Sequence, residues 1–273
     1  MKNKVIEYYS RPGTWLGYTL CLNRSQHFGL YKDNTKSEKQ AQQNMLHLIS
    51  DKLDIKKGMN ILDAGCGQGF VEKYLAGVFN ASFTGITITP REVKVAKKQL
   101  KKTTLKGTAN FILADYHDLP FEDDSFDVVF TVETLAHAQD LSQVLSEFYR
   151  VLKPGGKIVL IEYEWEYEKF SPKYQKIYDF ARQYWGGYGD QFPVGWAKVE
   201  LNKLGFLKFS ETDLTNNVKP SMDRIRKLTA PIRNVVKFND NIAKHFMNNV
   251  AGELYSLGVE ENVFHYKVFE AIK

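Results

Sequence analysis

The chain has 273 residues, of which 43% are hydrophobic and 25% charged, and a formal net charge of +5. That length holds one domain, or one domain with a substantial cap, with apolar content for a real core. The mild charge is far from that of a nucleic-acid tail, and the two cysteines, Cys21 and Cys66, stand outside any CxxC pair or Cys/His cluster, which excludes a zinc or disulfide framework and fits a reducing cytoplasmic compartment.

In chain order, the opening "MKNKVIEYYSRPG" has no apolar core of a signal peptide, and no run approaches the roughly 20 apolar residues of a membrane span. Peripheral membrane contact stays open. Residues 1–56 lie outside the pattern that follows, with one helix predicted over "SEKQAQQNMLHLISDKL". From Gly58 strand-like and helix-like pieces alternate. "MNILDAG", "ASFTGITI", "ANFILAD", "FDVVFTVE" and "GKIVLIEYEW" read as strands, and "PREVKVAKKQLKK" and "LSQVLSEFYRVLK" as helices. "GFLKFSETDLT" and "VFHYKVFEAIK" add two strands, separated by a helical stretch at about 218–257. Short apolar strands alternating with helices predict an α/β fold, a doubly wound Rossmann-like sheet of about seven strands, mostly parallel with an antiparallel last strand. The expected division is a helical lid at 1–56 and a core at 57–273, with the 218–257 insertion as a second part of a cap over the active site.

The stretch "ILDAGCGQGF" is an apolar run that stops at the carboxylate of Asp63 and enters a glycine turn. In open parallel sheets ligands bind at the carboxyl ends of the strands, and glycines let the backbone approach them closely. A dinucleotide fingerprint wants G-x-G-x-x-G; here the third glycine, Gly69, comes one residue early, and the second strand ends "GITITP" without the acid that holds a ribose. Both departures argue against a nicotinamide dinucleotide.

Five stretches, "ILDAGCGQG", "GITITPREV", "ADYHDLPFEDDSFDVVF", "VETLAHA" and "RVLKPGGKIVL", stand in the order and spacing of class I S-adenosylmethionine-dependent methyltransferases, which this chain resembles over roughly 58–163. "GITITP" and "SQHFGLY" are similar to the branch of sterol C-methyltransferases, cyclopropane-fatty-acid synthases, tocopherol methyltransferases and natural-product sugar O-methyltransferases. The resemblance implies S-adenosylmethionine as cofactor and no metal. It places Gly65, Gly67 and Gln68 around the methionine end, with Asp63 facing the ammonium. Ile88 and Thr89 would lie beside the adenosine. Glu92 would reach the ribose hydroxyls, the other reading being a first-turn acid that suits the helix dipole. Asp115 would take the adenine amino group, with Tyr116 flanking the ring.

The methyl acceptor is read less directly. Glu133 and His137, in "VETLAHAQD", fall at the active-site edge of the sheet, and Glu162 near the end of the fifth strand is a third candidate for acid or base work. The aromatic stretches "EYEWEYEKF" and "YWGGYGDQF" suggest an apolar pocket wall led by Tyr163 and Trp165, or helix packing. Tyr8, Tyr9, His27, Phe28 and Tyr31 are candidates for a lid. Arg224, Arg226, Lys227, Arg233 and Lys237 would hold a diphosphate or an anionic surface, or form a solvated helix face, the safer reading. The leading expectation is methylation, at carbon or oxygen, of a small, largely apolar molecule. The alternative is a sugar or phenol O-methyltransferase with His137 as base. Nucleic acid ranks low as a partner because the Asn-Pro-Pro-Tyr type motif is absent after the fourth strand, and a non-catalytic scaffold is disfavoured by the complete motif series.

Overall fold

The computed structural model describes residues 2–101, 103–185, 192–236 and 253–273. Its elements run α1 (Lys2–Ser10), α2 (Pro12–Cys21), α3 (Glu38–Leu53), β1 (Asn60–Ala64), α4 (Phe70–Val78), β2 (Ser82–Thr87), α5 (Pro90–Leu100), β3 (Thr108–Leu113), β4 (Phe126–Val132), α6 (Leu141–Val151), β5 (Leu152–Trp165), α7 (Pro172–Trp185), α8 (Trp196–Lys203), β6 (Leu207–Asp213), α9 (Thr215–Val236) and β7 (Phe264–Ile272). A turn of 3₁₀ helix at Leu135–His137 follows β4, and residues 253–260 are helical.

The sheet has seven strands in the order β3-β2-β1-β4-β5-β7-β6. Pairs β3–β2, β2–β1, β1–β4 and β4–β5 are parallel. The last strand runs against them: Gly155 N–H donates to Lys273 O at 3.0 Å, and Lys273 N–H to Gly156 O at 2.9 Å. Strand order reverses between β1 and β4, and that switch point is where a doubly wound sheet leaves a crevice. The expected sheet is thus present, with two details the sequence did not give. Strand β5 begins at Leu152, ahead of its glycines, because Leu152 pairs with Phe126 before a register shift. Residues 1–56 carry two helices, α1 and α2, ahead of the predicted one.

Two compact units are built from interleaved stretches. One comprises Leu46–Glu162, Gly195–Thr212 and Val268–Lys273; the other Met1–Met45, Tyr163–Val194 and Asp213–Lys267. In the first, β1 is buried from Ile61 to Ala64, which is why it reads as a continuous apolar run rather than an alternation. Helix α6 shows the opposite logic. Leu141, Val144, Leu145, Phe148 and Val151 bury one stripe, and Asp140 caps the helix by accepting the Gln143 N–H at 2.9 Å. In the second unit an aromatic cluster around Trp165 and helix α9, with Pro220 and Pro231 in its interior, dominate. Part of the predicted insertion, 237–252, and the aromatic run at 186–191 lie outside the described residues.

Candidate functional site

The carboxyl ends of β1, β2, β3 and β4 carry the candidate cofactor residues with Glu133 and His137, and all of these lie in one unit. At the end of β1, Asp63 is 3% exposed. The chain then turns through Gly65 at φ +150°. A Cβ on Gly65 would stand 2.3 Å from Thr134 Oγ1, so the turn is locked directly against the loop that follows β4. Cys66 N–H donates to Ile86 O at 2.9 Å, fixing the turn to β2 as well. Helix α4 opens at Phe70, so its N-terminal N–H groups lie beside this turn.

Burial pushes the Asp63 carboxyl up to about 7. Its Oδ1 has no partner among the described residues. The sequence reading missed what stands beside it. Glu72, in α4, is fully buried, and neither of its oxygens has a partner among the described residues. Burial and the Asp63 charge both raise it. A glutamate in the first turn of a helix looks like a surface residue in sequence, so no local signal marked it.

At the end of β2, Thr87 Oγ1 donates to Glu92 Oε2 at 2.7 Å, and Thr89 N–H donates to Thr87 Oγ1 at 3.2 Å. Glu92 is therefore a buried acid tied to the strand end rather than a solvated first-turn residue. Ile88 is half-buried, and Thr89 is buried with its Oγ1 unpartnered among the described residues. After β3, Asp115 Oδ1 accepts from His117 Nδ1 at 2.7 Å and from the His117 N–H at 3.1 Å. His117 Nε2 accepts the Gln139 N–H at 3.0 Å. One ring nitrogen donating and the other accepting describes a neutral imidazole that orients Asp115. His117 is a second residue that sequence reasoning passed over. The Tyr116 hydroxyl donates to Thr134 O at 3.4 Å, and its ring meets Phe148 edge-on.

The loop after β4 is strapped down by β5. Glu133 sits at φ +52°, a conformation costly for a residue with a Cβ. Its N–H donates to Ile161 O at 2.9 Å. The next two N–H groups, of Thr134 and Leu135, donate to Glu162 Oε1 at 2.8 and 2.9 Å. Glu162 is fully buried and its Oε2 has no partner among the described residues. Burial raises its carboxyl to about 7, opposed by the two backbone N–H groups. Glu162 thereby holds the backbone that carries Glu133 and His137, both half-buried.

A family described as "Methyltransferase domain" matches residues 62–160, the stretch just described. The O-methyltransferase cnsE of Penicillium expansum is 31% identical over 205 residues, covering 71% of this chain and 70% of that protein. The chain belongs to the S-adenosylmethionine-dependent methyltransferases. A sterol 24-C-methyltransferase of Pneumocystis carinii is 31% identical over 218 residues, 77% of this chain. The chain spans 56% of that protein, little more than half of its length. The cyclopropane synthase MmaA2 from Mycobacterium tuberculosis has the same fold, with a TM-score of 0.82 at 14% identity over 100% of this chain and 98% of that one.

The methyltransferase's switch-point residues fit the family's cofactor chemically. S-adenosylmethionine presents an ammonium, a ribose diol and an adenine. Against these the chain sets a buried carboxylate oxygen without a partner at Asp63, a buried acid at Glu92, an oriented acid at Asp115, and a glycine turn with no room for a side chain at Gly65.

The pocket candidates belong to the other unit. Tyr8 is buried, its phenol raised by burial, with Tyr9 edge-on at 4.9 Å. His27 is buried, its Nδ1 donates to Phe28 O at 3.1 Å, and burial lowers its pKa, so the ring is neutral. Its Nε2 has no partner among the described residues. The Tyr31 hydroxyl donates to Glu38 Oε2 at 3.1 Å, and Glu38 also accepts from Ser221 and Gln42. Tyr163 and Trp165 are buried and meet at 5.9 Å, with Phe264 at 4.7 Å from Trp165. The Trp165 Nε1 is buried without a partner among the described residues. Two of the basic residues of α9 have partners. Arg224 donates to Cys21 O at 3.2 Å, and Arg226 pairs with Glu260 at 2.9 Å. The Arg233 side chain and Lys237 lie outside the described residues. Among the described residues no helix is long and apolar enough to cross a membrane, and no group of three or more His, Cys, Asp or Glu is placed to hold a metal ion.

Proposed function

We propose that this chain binds S-adenosylmethionine at the carboxyl ends of β1–β3 and transfers its methyl to a small, largely apolar molecule. The observation that carries the reading is the buried Asp63 oxygen without a partner beside a glycine turn closed to side chains. In this reading Asp63 faces the ammonium, and Gly65, Gly67 and Gln68 offer backbone to the methionine end. Ile88, Thr89 and Glu92 hold the ribose side, and Asp115 and Tyr116 the adenine. The bound cofactor supplies a methyl already activated on a sulfonium, so the protein's part is chiefly positioning.

Glu133 and His137 are the side chains offered to the acceptor. Glu162 acts through them: its oxygen already serves two backbone N–H groups, so it holds the loop rather than touching the acceptor. Tyr163 and Trp165, with Tyr8, Tyr9, His27 and Tyr31, are the candidates for contact with an apolar acceptor, and all of them belong to the other unit. Similarity to a sterol 24-C-methyltransferase favours an isoprenoid-like or polycyclic acceptor. A second reading, O-methylation with His137 as base, is favoured by the similarity to an O-methyltransferase. Replacing each by Gln separates them. Loss of turnover confined to His137→Gln supports oxygen as the acceptor, whereas loss with Glu133→Gln supports carbon.

Calorimetric titration with S-adenosylhomocysteine tests the cofactor reading. The wild type binds, and Asp63→Asn weakens binding by about tenfold or more, the worth of one charged hydrogen bond. Absence of binding by the wild type refutes the reading.

A further inference from the structure

Glu72 and Asp63 form a buried pair of carboxyl groups that the resemblance to methyltransferases does not account for. The geometry has a specific origin. Asp63 on β1 is in register with Gly85 on β2. A Cβ on Gly85 would stand 2.6 Å from Glu72 Oε1 and 2.7 Å from Cys66 Cβ, so the absent side chain of Gly85 leaves the space that the Glu72 carboxyl fills, next to Asp63. Three oxygens there, Asp63 Oδ1 and both of Glu72, have no partner among the described residues. Two neighbouring carboxylates cannot both stay ionised away from water, and a shared proton gives both a partner at once. The Cys66 thiol on the turn is raised by burial, by both carboxyls and by Glu92 on α5, so the titratable groups gathered there are all acids. Burial raises both carboxyls, and the Asp63 charge raises Glu72 further.

We propose that Glu72 is a positioning residue of the cofactor site: it keeps one proton and donates it to Asp63, so that Asp63 meets the ammonium as a carboxylate backed by a neutral O–H donor. The inference rests on the cofactor reading above and adds a residue and a proton count to it. On binding, the O–H bond of protonated Asp63 breaks, its proton leaves to solvent, and Glu72 stays neutral. Below about pH 7 binding therefore releases about one proton, and above it close to none.

Two measurements test this apart from turnover. Infrared difference spectra of the unliganded protein at pH 8.5, wild type against Glu72→Gln, read the proton directly. A carboxylic-acid carbonyl band present in the wild type and lost in the variant is expected; no such band overturns the shared proton whatever the cofactor does. Calorimetry with S-adenosylhomocysteine in buffers of different ionisation enthalpy then counts protons. Glu72→Gln, which keeps a donor, is expected to bind within about threefold of wild type and to release about one proton at pH 6. Glu72→Leu, which removes the donor, is expected to bind about tenfold or more weakly at pH 7. Proton release that persists at pH 8.5 in the wild type and vanishes in Glu72→Gln overturns the proposal, because Glu72 would then be the group that ionises. A Glu72→Gln variant that loses affinity by more than about tenfold overturns it as well. If the wild type shows the infrared band and yet binds no S-adenosylhomocysteine, the cofactor reading falls and the assignment of Glu72 to it falls with it, while the acid pair itself stands.

Discussion

Replacing Glu162 by Gln should remove a pH-dependent weakness of the fold. Folded, Glu162 holds its proton up to about pH 7, against an ordinary value of 4.5. Between those values the folded chain binds more protons than the unfolded one, so stability falls as pH rises through the window and levels off above about 7. The shift of about 2.5 pH units, at about 1.36 kcal/mol each, bounds the loss at roughly 3 kcal/mol. Gln offers the same carbonyl oxygen to the Thr134 and Leu135 N–H groups and cannot ionise. The variant should therefore match the wild type to within about 1 kcal/mol at pH 5 and exceed it by roughly 3 kcal/mol at pH 8.5. In a chain of this length that is about 6–12 °C in Tm. Thermal scans of both proteins at the two pH values read it, and other titrating groups cancel in the comparison. A difference between the two proteins that does not change with pH refutes the placement of a protonatable, buried Glu162 under the loop.

Three other outcomes follow from the same geometry. Gly65→Ala puts a Cβ 2.3 Å from Thr134 Oγ1 at φ +150°, so it should cost about 2 kcal/mol or more and abolish the Tm gain from added S-adenosylhomocysteine; a Tm within about 2 °C of wild type contradicts the locked turn. His117→Ala releases Asp115 from its 2.7 Å partner and should weaken S-adenosylhomocysteine binding by about fivefold while Tm changes little, since the ring is partly exposed; unchanged affinity would separate Asp115 from the adenine. Trp165→Ala empties the centre of the aromatic cluster and should cost about 3–5 kcal/mol by denaturant titration, with Trp165→Phe recovering much of it.

What was legible in the sequence is what repeats locally. The buried β1 declares itself as an apolar run stopped by Asp63, and α6 by its stripe from Leu141 to Val151. The candidate cofactor residues come from the resemblance of five motifs in order and spacing, and they fall at the ends of strands β1 to β3. The residues that were missed depend on neighbours distant in sequence. Glu72 has the local look of a solvated first-turn acid; its burial follows only once β1 and β2 are in register and Gly85 is found beside Asp63. His117 matters because it reaches Gln139 and Asp140, 22 and 23 residues away. The position of Glu162 on β5 points to acid or base work; its hold on Thr134 and Leu135 needs the β4–β5 pairing. Helix α9 carries Pro220 and Pro231 in its interior, each removing a backbone donor, so its length came from packing rather than propensity.

The most direct test of the central claim uses S-adenosylmethionine labelled in its methyl group. The purified protein is incubated with it and with an extract of the source cells, and label is then partitioned between solvent, water and precipitate. The account predicts enzyme-dependent label in the organic phase, reduced in Asp63→Asn when S-adenosylmethionine is below saturation. Label confined to precipitated macromolecules, or no transfer above an enzyme-free control, contradicts it.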